Sequence, residues 1–145
     1  MGRNLSLQTR RRNARGINKR VQGPWRGRKF FGLGNRATLT TAIAGNNNDL
    51  LYVAKVPGTA GNSIRVRYVV SGNNTPLSVS VAGNDITVNS ATDGSAAATS
   101  TAADVKKALQ ANAAVNALVT VSNVLGNDNT GVIAALAYTN LAGAS

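Results

Sequence analysis

The stretch IRVRYVV, residues 64–70, alternates apolar and charged side chains with a period of two. In an extended chain this period places successive side chains on opposite faces, so it predicts a half-buried β-strand. The face predicted to be buried carries Ile64, Val66 and Tyr68, and the opposite face carries Arg65 and Arg67. Two arginines on one strand face are typical of a solvated surface. In a protein that packs in a lattice, they are also candidates for ion pairs between subunits.

The residues that follow predict a second and a third strand. Residues 77–81, LSVSV, alternate again, with the apolar residues Leu77, Val79 and Val81 predicted to point inward. Gly83 and Asn84 both accept a positive φ, which predicts a two-residue hairpin turn. The strand after this turn contains Ile86 and Val88.

Further strands are predicted on both sides of this group, at residues 37–44, 49–56, 118–124 and about 137–141. One helix is predicted between them. Thr101 and Asp104 have the spacing of a capping box, and Val105, Ala108 and Leu109 form one apolar stripe after it. Residues 113–118 add a further turn. The predicted class is α+β: a β-rich antiparallel sheet, formed as one meander, with one packed helix and an extended basic arm before it.

Composition argues against an enzyme. The chain of 145 residues has no His and no Cys, and its five acidic residues are all Asp. His-based acid–base catalysis, thiol chemistry and most transition-metal sites are therefore excluded. The stretch Asn127–Asp128–Asn129 resembles part of a calcium loop, but a chain without Glu cannot supply the bidentate ligand. We predict a turn there, and no catalytic residue, metal site, cofactor or small-molecule substrate.

Charge divides the chain into two parts. The net charge is +11. Residues 1–36 hold eleven of the sixteen basic residues and no acidic residue, whereas residues 37–145 hold five basic and five acidic residues. We interpret residues 1–36 as a basic extended arm and residues 37–145 as a neutral folded domain. Such arms bind a negatively charged partner or lie in acidic grooves between partners.

The composition of residues 1–36 does not predict a targeting or membrane segment. These residues contain no continuous apolar region of the kind that a secretory signal needs, and their glycines interrupt an amphipathic presequence helix. No run of eighteen apolar residues occurs in the chain, so no contact with a membrane is predicted.

Basic and aromatic residues of the arm are the predicted partner-binding residues. They are Arg10, Arg11, Arg12, Arg15, Lys19, Arg20, Trp25, Arg26, Arg28, Lys29, Phe30 and Phe31. The arginines can pair with acidic patches of a protein while the aromatic side chains fill its pockets. Alternatively, the arginines contact phosphates and the aromatic rings stack on bases. A free, solvated tail is the third interpretation.

Two segments carry a resemblance to a known family. AKVPGTAGNSIRVRYV (residues 54–69) followed by PLSVSVAGNDITVNSATD (residues 76–93) resembles a structural module of tailed-bacteriophage virion proteins. STAADVKKALQAN (residues 100–112), ALVTVS (residues 117–122) and GVIAALAYTNLAGA (residues 131–144) fit the same module in order. The resemblance covers residues 50–144. Family members include head decoration or cement proteins and tail sheaths. The tail sheaths are much longer than this chain.

The resemblance implies a non-enzymatic virion protein, assembled in the cytoplasm of a bacterial host. Its expected role is capsid decoration or cementing, with the arm tying capsid subunits together. The expected partners are the major capsid protein or other virion proteins, and further copies of this chain in the virion lattice. The alternative is an internal, connector or tail component whose arm contacts packaged DNA.

Overall fold

The fold is known from a computed structural model, which describes residues 34–145. These residues form two β-sheets and two helices around one core. All twelve predicted partner-binding residues of the arm lie outside the described residues.

The first sheet has three antiparallel strands. Strand β1 (Thr38–Thr40) pairs with β2 (Leu50–Ala54), which in turn pairs with β6 (Val119–Asn123). Alternation on β2 buries Leu50, Tyr52 and Ala54 completely. One face of this sheet therefore contributes directly to the core.

The second sheet has four strands in the order β4-β5-β3-β7. They are β3 (Arg65–Val69), β4 (Ser78–Ala82), β5 (Asp85–Asn89) and β7 (Leu136–Asn140). β4 and β5 form the predicted hairpin, with Ala82 opposite Asp85 across the Gly83–Asn84 turn. β3 pairs antiparallel with β7 but parallel with β5.

The prediction of a single antiparallel meander is wrong in two respects. The strands divide into two sheets, and β5, not β4, lies beside β3. β4 lies two inter-strand spacings, about 10 Å, from β3. The segment between β3 and β4 is long enough to span this distance, which leaves the position beside β3 open for another strand. The hairpin then folds back and inserts β5 into that position, which makes β3 and β5 parallel. The alternation in β3 identifies its buried face, but it does not identify the neighbouring strand.

The helices follow the sequence pattern. Helix α1 (Ala102–Ala111) begins at the predicted capping box, in which Thr101 Oγ1 accepts from the Asp104 backbone N–H and Asp104 accepts from the Thr101 backbone N–H. Helix α2 (Ala113–Leu118) is the predicted additional turn. Asn112 separates the two helices and caps the second, because its Oδ1 accepts from two backbone N–H groups. A short 3₁₀ turn (Thr59–Ser63) precedes β3.

One hydrophobic core connects the sheets and α1. The predicted inward residues Ile64, Val66 and Tyr68 are buried, as are Val105 and Leu109 of α1. Leu77, Val79 and Val81 are half-buried and pack against this core. The α+β class with a packed helix is therefore confirmed. Within residues 34–145, no helix combines the length and the apolar character needed to cross a bilayer.

Candidate interaction surfaces

The outer face of the four-stranded sheet carries a cluster of polar side chains around Tyr138. The guanidinium carbons of Arg65 and Arg67 lie 4.7 and 4.6 Å from the centre of the Tyr138 ring. β7 has one extra residue relative to β3 next to this contact, between the pairs Val66–Thr139 and Tyr68–Leu136. Arginine stacks well on aromatic faces, so Tyr138 holds both arginine side chains against the sheet.

Both arginines also have partners on β5. Arg65 donates from Nε and Nη2 to the two carboxylate oxygens of Asp85, at 2.7 and 2.5 Å. Arg67 donates from Nε to Thr87 Oγ1 at 3.0 Å. Hydrogen bonding from Arg65 lowers the pKa of the Asp85 carboxyl below its ordinary value. The charge of Arg65 is thus compensated within the chain, which leaves Arg67 as the better candidate for an ion pair between subunits.

The glycines in the corner between β2 and β3 are required by the local fold. Gly58 has φ 90° and ψ 173°, a conformation that is essentially restricted to glycine. A Cβ on Gly61 would lie 2.9 Å from the Cβ atoms of both Ala37 and Ala54. Asn62 holds the C-terminal segment, since its amide donates to the Ala144 carbonyl and accepts from the Ala144 N–H. The backbone conformation of Gly58 and the close packing around Gly61 therefore both require glycine.

The predicted turn at Asn127–Asp128–Asn129 is also confirmed. Asn127 Oδ1 accepts from the Asn129 backbone N–H, and Asp128 Oδ1 accepts from the N–H and hydroxyl of Thr130. The two hydrogen bonds from Thr130 lower the pKa of the Asp128 carboxyl. In the described part of the chain, no three His, Cys, Asp or Glu side chains group as metal ligands would.

A buried hydroxyl pair is the polar feature that the sequence did not predict. Tyr52 on β2 and Tyr68 on β3 have their hydroxyl oxygens 2.8 Å apart inside the core, which joins the two sheets. Burial, as the largest cause, raises the pKa of both hydroxyls. Strand alternation did place Tyr68 inward, and a buried tyrosine hydroxyl requires a partner. Which residue would be the partner depends on how the sheets pack.

A mostly apolar surface depression of about 180 Å³ lies where β2, the 3₁₀ turn and the end of α2 meet, and Ser63 and Asn84 are its polar lining residues. Val56, Ile64 and Leu118 supply the larger apolar side chains of its wall, and Val56 is mostly exposed. A second exposed apolar feature lies in the loop after β6, where the Leu125 side chain is fully exposed. The sequence pattern predicts neither feature, because period-two patterns do not extend into loops.

No family model, curated protein or solved structure matches this chain. The phage resemblance therefore stays a prediction based on the quoted segments.

Proposed function

We propose that the chain is a non-enzymatic structural protein of a tailed-bacteriophage particle, which decorates or cements the capsid. The observation that carries the proposal is the division of charge. Residues 1–36 have eleven basic and no acidic residues, whereas residues 37–145 have five of each. A neutral folded domain joined to a strongly basic arm suits a protein whose domain lies on a large assembly and whose arm binds to that assembly.

The length of the arm supports this role. An extended chain spans about 3.3 Å per residue, so the arm of 36 residues can reach on the order of 100 Å. This is enough to cross more than one capsid subunit. Many modest contacts along the arm then add up, because attachment to the domain raises their effective concentration.

The folded part supports the proposal through its outer surface. Arg65 and Asp85 are paired, Arg67 is fixed by Thr87 and Tyr138, and β4 presents small uncharged side chains at Ser78, Ser80 and Ala82. A sheet face with fixed side chains and almost no net charge can pack beside neighbouring subunits without strong electrostatic repulsion.

The location of the chain on the particle tests the proposal most directly. We expect a density map of particles that contain the full chain to show the folded domain on the outer capsid surface, with particles lacking the chain as the control. Density confined to the connector, the tail or the interior would contradict capsid decoration.

The arm provides a second test. We expect Trp25→Ala, or Phe30→Ala together with Phe31→Ala, to speed release from particles more than Arg10, Arg11 and Arg12 changed to Ala. Aromatic anchors in a partner pocket contribute about 2 kcal/mol or more on truncation, whereas an exposed ion pair contributes about 0–1 kcal/mol. The arginine variant should mainly slow association and flatten its salt dependence. Release rates at two salt concentrations decide between these outcomes.

An internal or connector component is the second candidate function. The specific feature that favours it is the placement of Trp25, Phe30 and Phe31 among the basic residues of the arm, since bases stack on aromatic rings. Under this alternative the full chain binds DNA, and its affinity falls steeply between about 50 and 200 mM salt. Silent aromatic variants together with dominant arginine effects would favour it over capsid decoration.

A further inference from the structure

Each of the two sheets ends in two edge strands, β1 and β6 in the first and β4 and β7 in the second. An edge strand attracts a further strand through its free N–H and C=O groups, unless short length, a bulge, proline or charge prevents this. β1 has only three residues, and the register of β7 against β3 shifts between Val66 and Tyr68. β4 and β6 have five residues each in regular register, without a charged residue or a proline. Their edges therefore need another form of protection.

The register shows which backbone groups of β6 point away from its sheet. At the start of the β2–β6 pairing, the Lys55 N–H donates to the Leu118 carbonyl at 2.9 Å. Hydrogen-bonded and non-hydrogen-bonded pairs alternate along two antiparallel strands. The pair of Tyr52 with Val121 lies three positions further along and is therefore a non-hydrogen-bonded pair. The backbone N–H and carbonyl of Val121 thus point to the free edge.

The pairing of β5 gives the same information for β4. The Asn84 carbonyl and the Ser90 N–H, at either end of β5, both bond to residues of β3. Val88 lies an even number of residues from both, so its backbone groups also point towards β3. Its partner on β4 is Val79, which therefore receives no hydrogen bond from it. The backbone N–H and carbonyl of Val79 point to the free edge of the second sheet.

Two side-chain amides at the end of α1 bind these two outward carbonyls. Gln110 Nε2 donates to the Val121 carbonyl at 3.0 Å, and Asn112 Nδ2 donates to the Val79 carbonyl at 3.3 Å. The orientation of the Asn112 amide is fixed, because its Oδ1 accepts from the backbone N–H groups that begin α2. The end of one helix thus occupies a backbone acceptor on one edge of each sheet.

We propose that Gln110 and Asn112 protect the two regular sheet edges against strand addition by a second copy of this chain. A strand that adds to β6 or β4 needs the outward carbonyl of that edge as an acceptor, and the amide already occupies it. The two amides thereby replace the charge or proline that these edge strands lack. The inference concerns only the folded domain, so it depends neither on the arm nor on the proposed location in a phage particle.

Sedimentation velocity of the full chain over a wide concentration range tests this role. Gln110→Ala removes one donor at an exposed helix position, where alanine is the best helix former. Asn112→Ser keeps an N-cap for α2, but its side chain is too short to reach the Val79 carbonyl. We expect each variant to raise the association constant at least about fivefold, the factor that corresponds to one hydrogen bond that no longer has to be broken.

Three further variants are matched controls. Lys107→Ala changes an exposed residue of the same helix that, within residues 34–145, forms no hydrogen bond with β4 or β6. Gln110→Glu and Asn112→Asp lack the amide donor but place a negative charge at the edge, which opposes strand addition. Asn112→Asp also keeps an N-cap for α2. We expect all three controls to associate no more than the wild type.

Hydrogen exchange at single residues identifies the surface through which a variant associates. The N–H groups of Val81 and Asn123 point to the same free edges as those of Val79 and Val121, since each is two residues away. In the associated variants we expect slower exchange at Val81 for Asn112→Ser and at Asn123 for Gln110→Ala, with the buried Tyr52 N–H still protected.

Three results would overturn the proposal. The first is that Gln110→Ala and Asn112→Ser associate no more than the wild type. The second is that the carboxylate variants associate as strongly as they do. The third is that association is accompanied by lost protection at Tyr52, because unfolding would then be its cause. None of these results bears on capsid decoration, which the location of the domain on the particle tests separately.

Discussion

On strand β3, Tyr68 ends in the core while Arg65 ends at the surface, although both side chains carry polar groups. The Tyr68 hydroxyl has a fixed partner in Tyr52, on the other sheet, and both groups are removed from water. Arg65 has a fixed partner in Asp85, on the adjacent strand, and the two side chains keep 44% and 25% of their exposure. The inner pair positions one sheet against the other, whereas the outer pair only supports a pairing that backbone hydrogen bonds already define.

The difference between these two faces predicts unequal consequences of mutation. A buried polar group that loses its partner pays the full desolvation penalty, while an exposed group regains water. Packing defects inside the core should have larger effects still, because the interior has no free volume to absorb added atoms.

Gly61→Val should have the largest effect on stability. Its Cβ would lie 2.9 Å from the Cβ atoms of Ala37 and Ala54, so both neighbouring segments have to move. We expect a loss of about 3 kcal/mol in the free energy of unfolding, measured by urea denaturation. Gly83→Asn is the control, since Gly83 has φ 61° with no atom near its Cβ position and asparagine tolerates this backbone. A stable Gly61→Val chain would show that the corner is loosely packed.

Tyr68→Phe should rank second. It leaves the Tyr52 hydroxyl buried without its partner, which costs about 1–3 kcal/mol. Changing both tyrosines to Phe removes both hydroxyls and should recover most of that loss. A double-mutant cycle by urea denaturation measures the coupling. If the double variant loses as much as the sum of the two single variants, the hydroxyl pair contributes no coupling between the sheets.

The same pair predicts an alkaline limit to stability. Burial raises the pKa of both hydroxyls, so the folded state holds these protons more tightly than the unfolded chain does. Their contribution is complete below the unfolded tyrosine pKa, about 10, and is lost as the pH rises above it. We expect the melting temperature to fall above this pH, and to fall less steeply when both tyrosines are Phe. Equal slopes in the two proteins would contradict this assignment.

Arg65→Gln should have the smallest effect. The guanidinium and the Asp85 carboxylate are both accessible to water, which screens their attraction. Because Arg65 lowers the pKa of Asp85, the contribution of the pair is present above the ordinary Asp value of 3.8 and is lost as the pH falls through the lowered pKa. Urea midpoints at neutral and acidic pH measure it, with Lys55→Gln as the control, because Lys55 is exposed and forms no ion pair within residues 34–145. A loss as large as that of Tyr68→Phe would mean that the outer face is as important to stability as the inner pair.

Features that depend on neighbouring residues were determined by the sequence alone. The hairpin at Gly83–Asn84, the capping box of Thr101 with Asp104 and the inward face of β3 all occur as predicted. Each arises from φ preferences, from a spacing of three residues, or from a period of two, and these act within a few positions along the chain.

Only the tertiary structure decided which strands are neighbours and which side chains meet. Any of several strands with an apolar face could lie beside β3, because the alternation specifies a buried face without specifying a partner. The insertion of β5 between β4 and β3 made Asp85 the partner of Arg65, and the packing of the two sheets made Tyr52 the partner of Tyr68. Such contacts join residues far apart in the chain, and their energy exists only once the whole core has formed.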